Sequence, residues 1–196
     1  SPDFKKFYPT QVMETGHDLI FKWVPRMVIF GLYLAGEVPF KNVYLHGLVN
    51  DAKGAKMSKS KGNVMNPLDL TSKYGTDALR MSLVVGNPPG SDSALSEPKI
   101  KGYKNFANKL WNITRFILSN TEGLTPDLKL ITEKIDQELM SAFNNLISDV
   151  TGDLNNYRYH LAAEKIYHYL WHELADKIFE ESKTIVTVGN ADSNLY

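Results

Sequence analysis

Lys56-Met57-Ser58-Lys59-Ser60, continued by Lys61-Gly62-Asn63, is the stretch whose residue types point most directly to chemistry. Lys56 and Lys59 lie three apart around a small polar residue, with Gly54 and Gly62 on either side. Lysine ammonium groups neutralise phosphate oxygens as point charges. Serine hydroxyls and loop N–H groups add further donors. A short basic loop between a strand and a helix is therefore a candidate grip for a polyphosphate. A solvated lysine-rich hairpin tip has the same composition and is the commoner use of a charge run.

A second group of candidates precedes the loop. Gly16 and Asp18 follow a half-apolar stretch and open a helical pattern. Strand, glycine and helix start, in that order, present ligand-facing groups at the carboxyl edge of a parallel sheet. Asp18 reads either as a carboxylate bonded to sugar hydroxyls or as a helix N-cap. Trp23 reads as the floor of a pocket or as core. His46-Gly47 interrupts an apolar run, where a glycine marks close approach of backbone or ligand. A lone histidine at such a place is more often a hydrogen-bonded structural residue.

These residues need elements to position them. A short strand is expected near Gln11–Glu14. A mostly buried helix follows from Asp18, with apolar residues from Leu19 to Leu34 at helical spacing, a kink or an early end at Pro25, and a stop at Gly36. Val43–Val49 fits a buried parallel strand, and Asn50–Gly54 a hairpin-like turn. Asn66 with Pro67 signals a short helix ending at Tyr74-Gly75, and Thr76 caps a second over Asp77–Val85. Gly86–Gly90 breaks helix, and Ser91–Ser96 reads as loop. From Glu97 the pattern becomes helical. Long amphipathic helices are expected from Glu97 to about Leu118, over Glu133–Leu154 and over Tyr157–Phe179, with a loop at Thr121–Thr132. Short connections make these a bundle, with Trp111, Tyr167 and Trp171 in its core and seams. The last residues, from Val186, are polar and unpatterned and are expected to fray. The fold class is thus an α/β Rossmann-type half domain over residues 1–96 followed by an all-α bundle over residues 97–196, mostly helical overall.

Bulk properties narrow the function. The 196 residues carry equal numbers of basic and acidic side chains, so any basic surface is local rather than global. No cysteine is present, which excludes disulfides and thiolate metal sites and fits a reducing compartment. The five histidines show no metal-ligand spacing, and no metal site is expected. No apolar run is long enough to span a membrane. The N-terminal residues lack a signal-peptide core and read as a chain entered in mid-domain. A cytoplasmic, monomeric protein is expected.

The lysine–serine stretch with Gly62-Asn63 resembles the second signature of the class I aminoacyl-tRNA synthetases. Glu14-Thr15-Gly16-His17-Asp18, Trp23-Val24-Pro25-Arg26-Met27, Phe30-Gly31-Leu32-Tyr33-Leu34 and Tyr44–Val49 resemble the valine-specific enzymes of that class. Asn105–Asn112 and Tyr157-Arg158-Tyr159 through Ala162-Ala163, Tyr167, Trp171 and Glu173 resemble their anticodon-binding bundle. The resemblance covers roughly residues 8–183. It implies ATP-dependent activation of valine to valyl-adenylate and transfer to tRNA(Val), with Mg2+ accompanying ATP. It assigns Lys56 and Lys59 to charge stabilisation on the phosphates, with Ser58 and Ser60 also at the ATP site. It assigns Gly16 and Asp18 to the ribose, His46 and Gly47 to the adenine side, and Leu19 and Trp23 to the amino-acid pocket. Lys101, Lys104, Lys109 and Arg115 are candidate tRNA contacts.

Three departures accompany the resemblance. The family's first signature, His-x-Gly-His, is absent, so the 196 residues on their own are expected to be inactive in adenylate formation. His17 stands where relatives carry Trp, and Lys61 where an apolar residue is commoner. Two other readings compete: a non-catalytic tRNA-binding module, and an α/β domain binding a small phosphorylated ligand. Within the family, the isoleucine- and leucine-specific enzymes are the alternatives.

Overall fold

The computed structural model describes residues 1–123 and 134–183. They divide into two compact units. One holds residues 1–65 and 87–96; the other holds residues 66–86 and the described residues from 97 onward.

The first unit opens with a one-and-a-half-turn helix, α1 (Pro2–Phe7), capped by the Ser1 hydroxyl. Strand β1 (Thr10–Gly16) pairs in parallel with β2 (Phe40–His46), in register from Thr10 opposite Phe40 to Gly16 opposite His46. Parallel neighbours need a crossover, and α2 (Val24–Ala35) supplies it. The helix begins at Val24 rather than at Asp18. Pro25 has no N–H to give to a preceding turn, so it settles in the first turn of a new helix. His17–Leu19 forms a separate 3-10 turn before it. Gly36 ends α2 in the left-handed region (φ 79°), donating its N–H to the Leu32 carbonyl.

Helix α2 is less buried than its composition suggests. Phe30, Tyr33 and Leu34 are exposed, Tyr33 at 83%. A two-stranded sheet offers too little surface to cover a helix that is apolar almost all round. The expected single strand Val43–Val49 is also divided. Its second part is β3 (Val49–Asn50), which pairs in parallel with β4 (Ser93–Ala94), inside the stretch expected to be loop. The break falls at Gly47. The Ser91 backbone runs against it so closely that a Cβ there would sit 1.7 Å from the Ser91 carbonyl oxygen. After β3 the chain turns at Asp51–Gly54, and Asn50 and Lys56 form an antiparallel bridge, the hairpin-like turn expected.

The second unit is all helical. Its first helix is α3 (Pro67–Tyr74), with the Asn66 carboxamide capping the Leu68 N–H and Pro67 at its first position, as the sequence predicts. In α4 (Thr76–Val84) the cap is Gly75, and the Thr76 side chain makes no capping bond. Both helices pack with α5 (Glu97–Asn120), so residues 66–86 group with the bundle rather than with the strands. Glu97 accepts from Lys73 Nζ at 2.5 Å and from the Tyr74 hydroxyl, fastening α3 to the start of α5. Ile100, Phe106 and Ile113 bury the inner side of α5, with Leu70, Ala78 and Leu79 buried from α3 and α4.

Helix α6 (Lys134–Asn155) leads through a turn at Asn156–Arg158 into α7 (Tyr159–His168). Tyr157, expected to start this last helix, instead has φ 57° in the turn. Residues Tyr169–Ile178 continue α7 with wider π-helical turns. That stretch meets α5 along its length: Phe106 contacts Tyr167 and Trp171 (ring centroids 4.7 and 6.0 Å), and Phe116 contacts Phe179 at 5.1 Å. Trp111 departs from the expectation of a core residue and is 72% exposed. It lies five residues beyond Phe106, well round the helix from it. The expected end of the Thr121–Thr132 loop, the helix start at Glu133 and the C-terminal stretch from Val186 lie outside the described residues. Among the described residues no helix is long and apolar enough to cross a membrane.

Candidate functional site

The parallel pairing of β1 with β2 places two pairs of sequence-predicted residues side by side. Gly16 and His46 are register partners at the carboxyl ends of their strands. Asp18, in the 3-10 turn, folds back over Gly16: a Cβ on that glycine would lie 2.8 Å from Asp18 Oδ1, and 3.6 Å from the His46 ring. Gly16, Asp18, His46 and Gly47 thus form one edge. Asp18 is not the cap of α2. Trp23 occupies that position and makes no side-chain capping bond, which removes the N-cap reading of Asp18. Leu19 and Trp23 are 39% and 51% exposed, so they belong to an open surface and not to a closed pocket in this unit. His46 Nδ1 shares a hydrogen bond with the Gly47 carbonyl (2.9 Å), and its Nε2 lies 3.5 Å from Glu14.

Asp92, inside the stretch that the sequence predicts to be loop, completes this edge. Its Oδ1 accepts from the Leu48 N–H at 2.7 Å and pairs with His17 Nε2 at 2.9 Å. One carboxylate oxygen therefore ties the turn after β1 to the chain just after β2. The Leu48 N–H, and after it His17, hold the Asp92 carboxyl below the usual carboxylate range. Nothing local in the sequence marks Asp92, because both partners are more than forty residues away.

The lysine–serine loop leaves the Asp51 turn and passes through a 3-10 turn at Lys59–Lys61, which Gly62 closes at φ 66°. Lys56, Lys59 and Lys61 are exposed, and among the described residues none of them is in an ion pair. Ser58 and Ser60 hydroxyls lie 3.2 Å apart. Among the described residues no hydrogen bond or ion pair joins Lys56 or Lys59 to the Gly16–His46 edge. Beneath the loop, Asp51 and Asn63 form a compact cluster. Asp51 Oδ1 accepts from the Lys53 and Ala55 N–H groups, each at 2.9 Å, and its Oδ2 accepts from Asn63 Nδ2 at 2.8 Å. Asn63 Oδ1 in turn accepts from the Ser58 N–H at 2.9 Å. The Asn63 amide, followed by the Ala55 N–H, lowers the Asp51 carboxyl from its ordinary value. Asp51 was legible in the sequence only as a turn former, and Asn63 only as the end of a signature.

In the helical unit the four candidate cations separate. Lys101 and Arg115 are exposed on α5. Lys104 donates to the Lys73 carbonyl at 3.1 Å. Lys109 pairs with Asp176 at 2.6 Å and sits 4.3 Å over the Trp171 ring. Arg115 lines a groove of about 710 Å³ together with Asn105, Asn108, Asn112 and Lys183. Trp111 borders a second, apolar groove of about 610 Å³ with Met81, Val84, Leu110 and Leu170.

Residues 1–96 match the tRNA synthetases class I (I, L, M and V), and residues 136–196 match the anticodon-binding domain of tRNA ligase. The valine–tRNA ligase of Clostridium acetobutylicum is 43% identical over 187 residues, covering 94% of this chain and 21% of that protein. That of Solibacter usitatus is 45% identical over 192 residues, covering 96% of this chain and 22% of its own length. The chain thus spans about a fifth of the length of the curated relatives it matches. Among solved structures, methionyl-tRNA synthetase of Mycobacterium tuberculosis in complex with methionyl-adenylate superposes with a TM-score of 0.71 at 28% identity, over 85% of this chain and 33% of that one. The LeuRS–tRNA–LeuAMS complex of Agrobacterium radiobacter shares the fold, with a TM-score of 0.72 at 20% identity over 87% of this chain and 24% of that one. This chain belongs to the class I tRNA synthetases of the isoleucine, leucine, methionine and valine group, with a synthetase segment over residues 1–96 and an anticodon-binding segment over residues 136–196.

Proposed function

We propose that this chain is the part of a valine–tRNA ligase that holds the phosphate-gripping loop, one edge of the nucleotide site and the start of the tRNA-binding bundle. The observation that carries the reading is the pair of exposed ammonium groups at Lys56 and Lys59, without an ion pair among the described residues, on a loop whose base is fixed by side-chain hydrogen bonds. In the reaction proposed, the valine carboxylate attacks the α-phosphorus of ATP and pyrophosphate leaves. Negative charge grows on the β- and γ-phosphates, and Lys56 and Lys59 stabilise it without a covalent enzyme intermediate. Ser58 and Ser60 supply neutral donors to the same oxygens. Gly16 leaves room for the ribose beside Asp18, whose carboxylate accepts from sugar hydroxyls, and His46-Gly47 borders the adenine. Leu19 and Trp23 contribute apolar surface to the valine pocket. The adenylate then passes its valine to the terminal adenosine of tRNA(Val), whose phosphates meet Lys101 and Arg115.

Among the described residues no group of three or more His, Asp or Glu side chains could hold a metal ion. Mg2+ accompanying ATP would be carried on the phosphate oxygens. Pyrophosphate exchange tests the reading. In the full ligase carrying this segment, valine should support exchange far better than isoleucine or leucine. Lys59→Ala should lower the exchange rate by roughly 100-fold or more, the size seen when one preorganised charge-stabilising donor is removed. Equal exchange by Lys59→Ala and the parent would sink the assignment.

A further inference from the structure

We propose that Asp51 and Asn63 are positioning residues, a carboxylate–carboxamide clasp that sets the path of the lysine–serine loop and so the placement of Lys56 and Lys59. The proposal rests on reading that loop as a phosphate grip, but the clasp itself is testable without any ligand. Its geometry is specific. Asn63 Nδ2 donates to Asp51 Oδ2 at 2.8 Å and reaches the Lys56 carbonyl at 3.4 Å, while Asn63 Oδ1 accepts from the Ser58 N–H at 2.9 Å. One carboxamide therefore holds the backbone at Lys56 and at Ser58, on either side of Met57. Asp51 anchors the carboxamide, and its other oxygen holds the Lys53 and Ala55 N–H groups of the preceding turn. Among the described residues neither lysine side chain has a hydrogen-bond or ion-pair partner, so the backbone path decides where the two ammonium groups stand. Ser58 itself is in an extended conformation (φ −149°, ψ 147°), and its N–H finds no backbone acceptor within the loop. Asn63 is the side chain that satisfies it.

The complementarity of the pair makes a charge-swap test possible. Asn63→Asp alone sets two carboxylates against each other. Asp51→Asn alone faces one amide N–H donor with another. Exchanging both residues restores the bond between them with the donor on the opposite side and gives up only the longer bond to the Lys56 carbonyl (3.4 Å): residue 51 still accepts from Lys53 and Ala55, and residue 63 still accepts from Ser58. Trypsin cleavage under native conditions reads local opening of the loop at Lys56, Lys59 and Lys61. Each single variant should be cut there about tenfold faster or more, the effect of losing a hydrogen bond to a charged group. The double exchange should return to within about twofold of the parent, since paired residues are strongly non-additive. Asn63→Ser keeps an acceptor for Ser58 but loses the donor to Asp51; this milder variant should also be cut faster. Affinity for tripolyphosphate, measured by calorimetry on the same 196 residues, should fall in the single variants and recover in the exchange. Cleavage of the single variants at the parental rate, or an exchange as labile as the singles, overturns the clasp. Undiminished tripolyphosphate binding by Lys56→Ala/Lys59→Ala would instead overturn the phosphate reading and leave the cleavage result to judge the clasp.

Discussion

Asp92 Oδ1 lies 2.9 Å from His17 Nε2 and, in the same position, accepts the Leu48 N–H at 2.7 Å. A single oxygen thereby couples two backbone turns that carry four of the candidate nucleotide-site residues, Gly16, Asp18, His46 and Gly47. The coupling has a pH dependence with a definite sign. Asp92 is lowered from its ordinary 3.8 by the Leu48 N–H first and by His17 second. A carboxyl depressed in the folded state adds stability that is present above its unfolded pKa and is lost as pH falls through the lower folded value. The Leu48 amide resonance should therefore titrate with a midpoint below 3.8, and Asp92→Asn should abolish that titration. A midpoint at or above the ordinary value would show that Asp92 does not bridge the two turns in solution.

Gly47 tests the same junction sterically. A Cβ there would meet the Ser91 carbonyl oxygen at 1.7 Å, the Ser91 carbonyl carbon at 2.1 Å and the Asp92 nitrogen at 2.6 Å. All three are backbone atoms, so no side chain can rotate away. Gly47→Ala should destabilise the unit by at least the roughly 1–3 kcal/mol that overpacking costs, read as a lower urea midpoint at unchanged slope. Gly16→Ala is the control. It meets the flexible Asp18 carboxylate at 2.8 Å, so stability should change little while Asp18 is displaced and nucleotide binding weakens.

The contrast between these glycines shows what the sequence made legible. Local signals survived intact: Asn66 and Pro67 predicted the start of α3, Gly36 the end of α2, and the helical periodicity after Glu97 the bundle. The lysine–serine loop was found from residue types and its flanks. What escaped depended on partners distant in sequence. Asp92 gains its role from residues forty-four and seventy-five positions away. β4 exists only because β3 runs beside it, since two residues carry no pattern of their own. Burial was the other failure. The pattern of α2 and of Trp111 predicts a core, yet periodicity reports which side of a helix is apolar and not whether anything covers it.

The cations on α5 were expected to act together, and their surroundings now rank them. Lys109 and Arg115 line the same groove, but Lys109 is committed to Asp176 and to the face of Trp171, whereas Arg115 is exposed. Arg115→Ala should leave thermal stability unchanged and reduce the slope of log affinity for tRNA against log salt by about one, as expected for one lost phosphate contact. Lys109→Ala should do the reverse, lowering the melting temperature with the salt slope retained. An unchanged slope in Arg115→Ala would remove this face of α5 from the RNA interface.

Gly102 offers a way to ask whether that face approaches RNA with its backbone as well as its side chains. The residue is inside α5, is exposed, and a Cβ there would meet nothing within 4 Å. Glycine within a helix costs roughly 0.5–1 kcal/mol relative to alanine through chain entropy alone. Gly102→Ala should therefore raise the stability of the helical unit by about that amount, measurable as an increased denaturation midpoint. Gly152→Ala in α6, where a Cβ also meets nothing, should give a similar gain and serves as the reference away from α5. If both substitutions stabilise but only Gly102→Ala weakens tRNA binding, the methyl group occupies space that a phosphate or ribose needs beside Lys101. If tRNA binding is unaffected, no phosphate or ribose packs against the α5 backbone at Gly102.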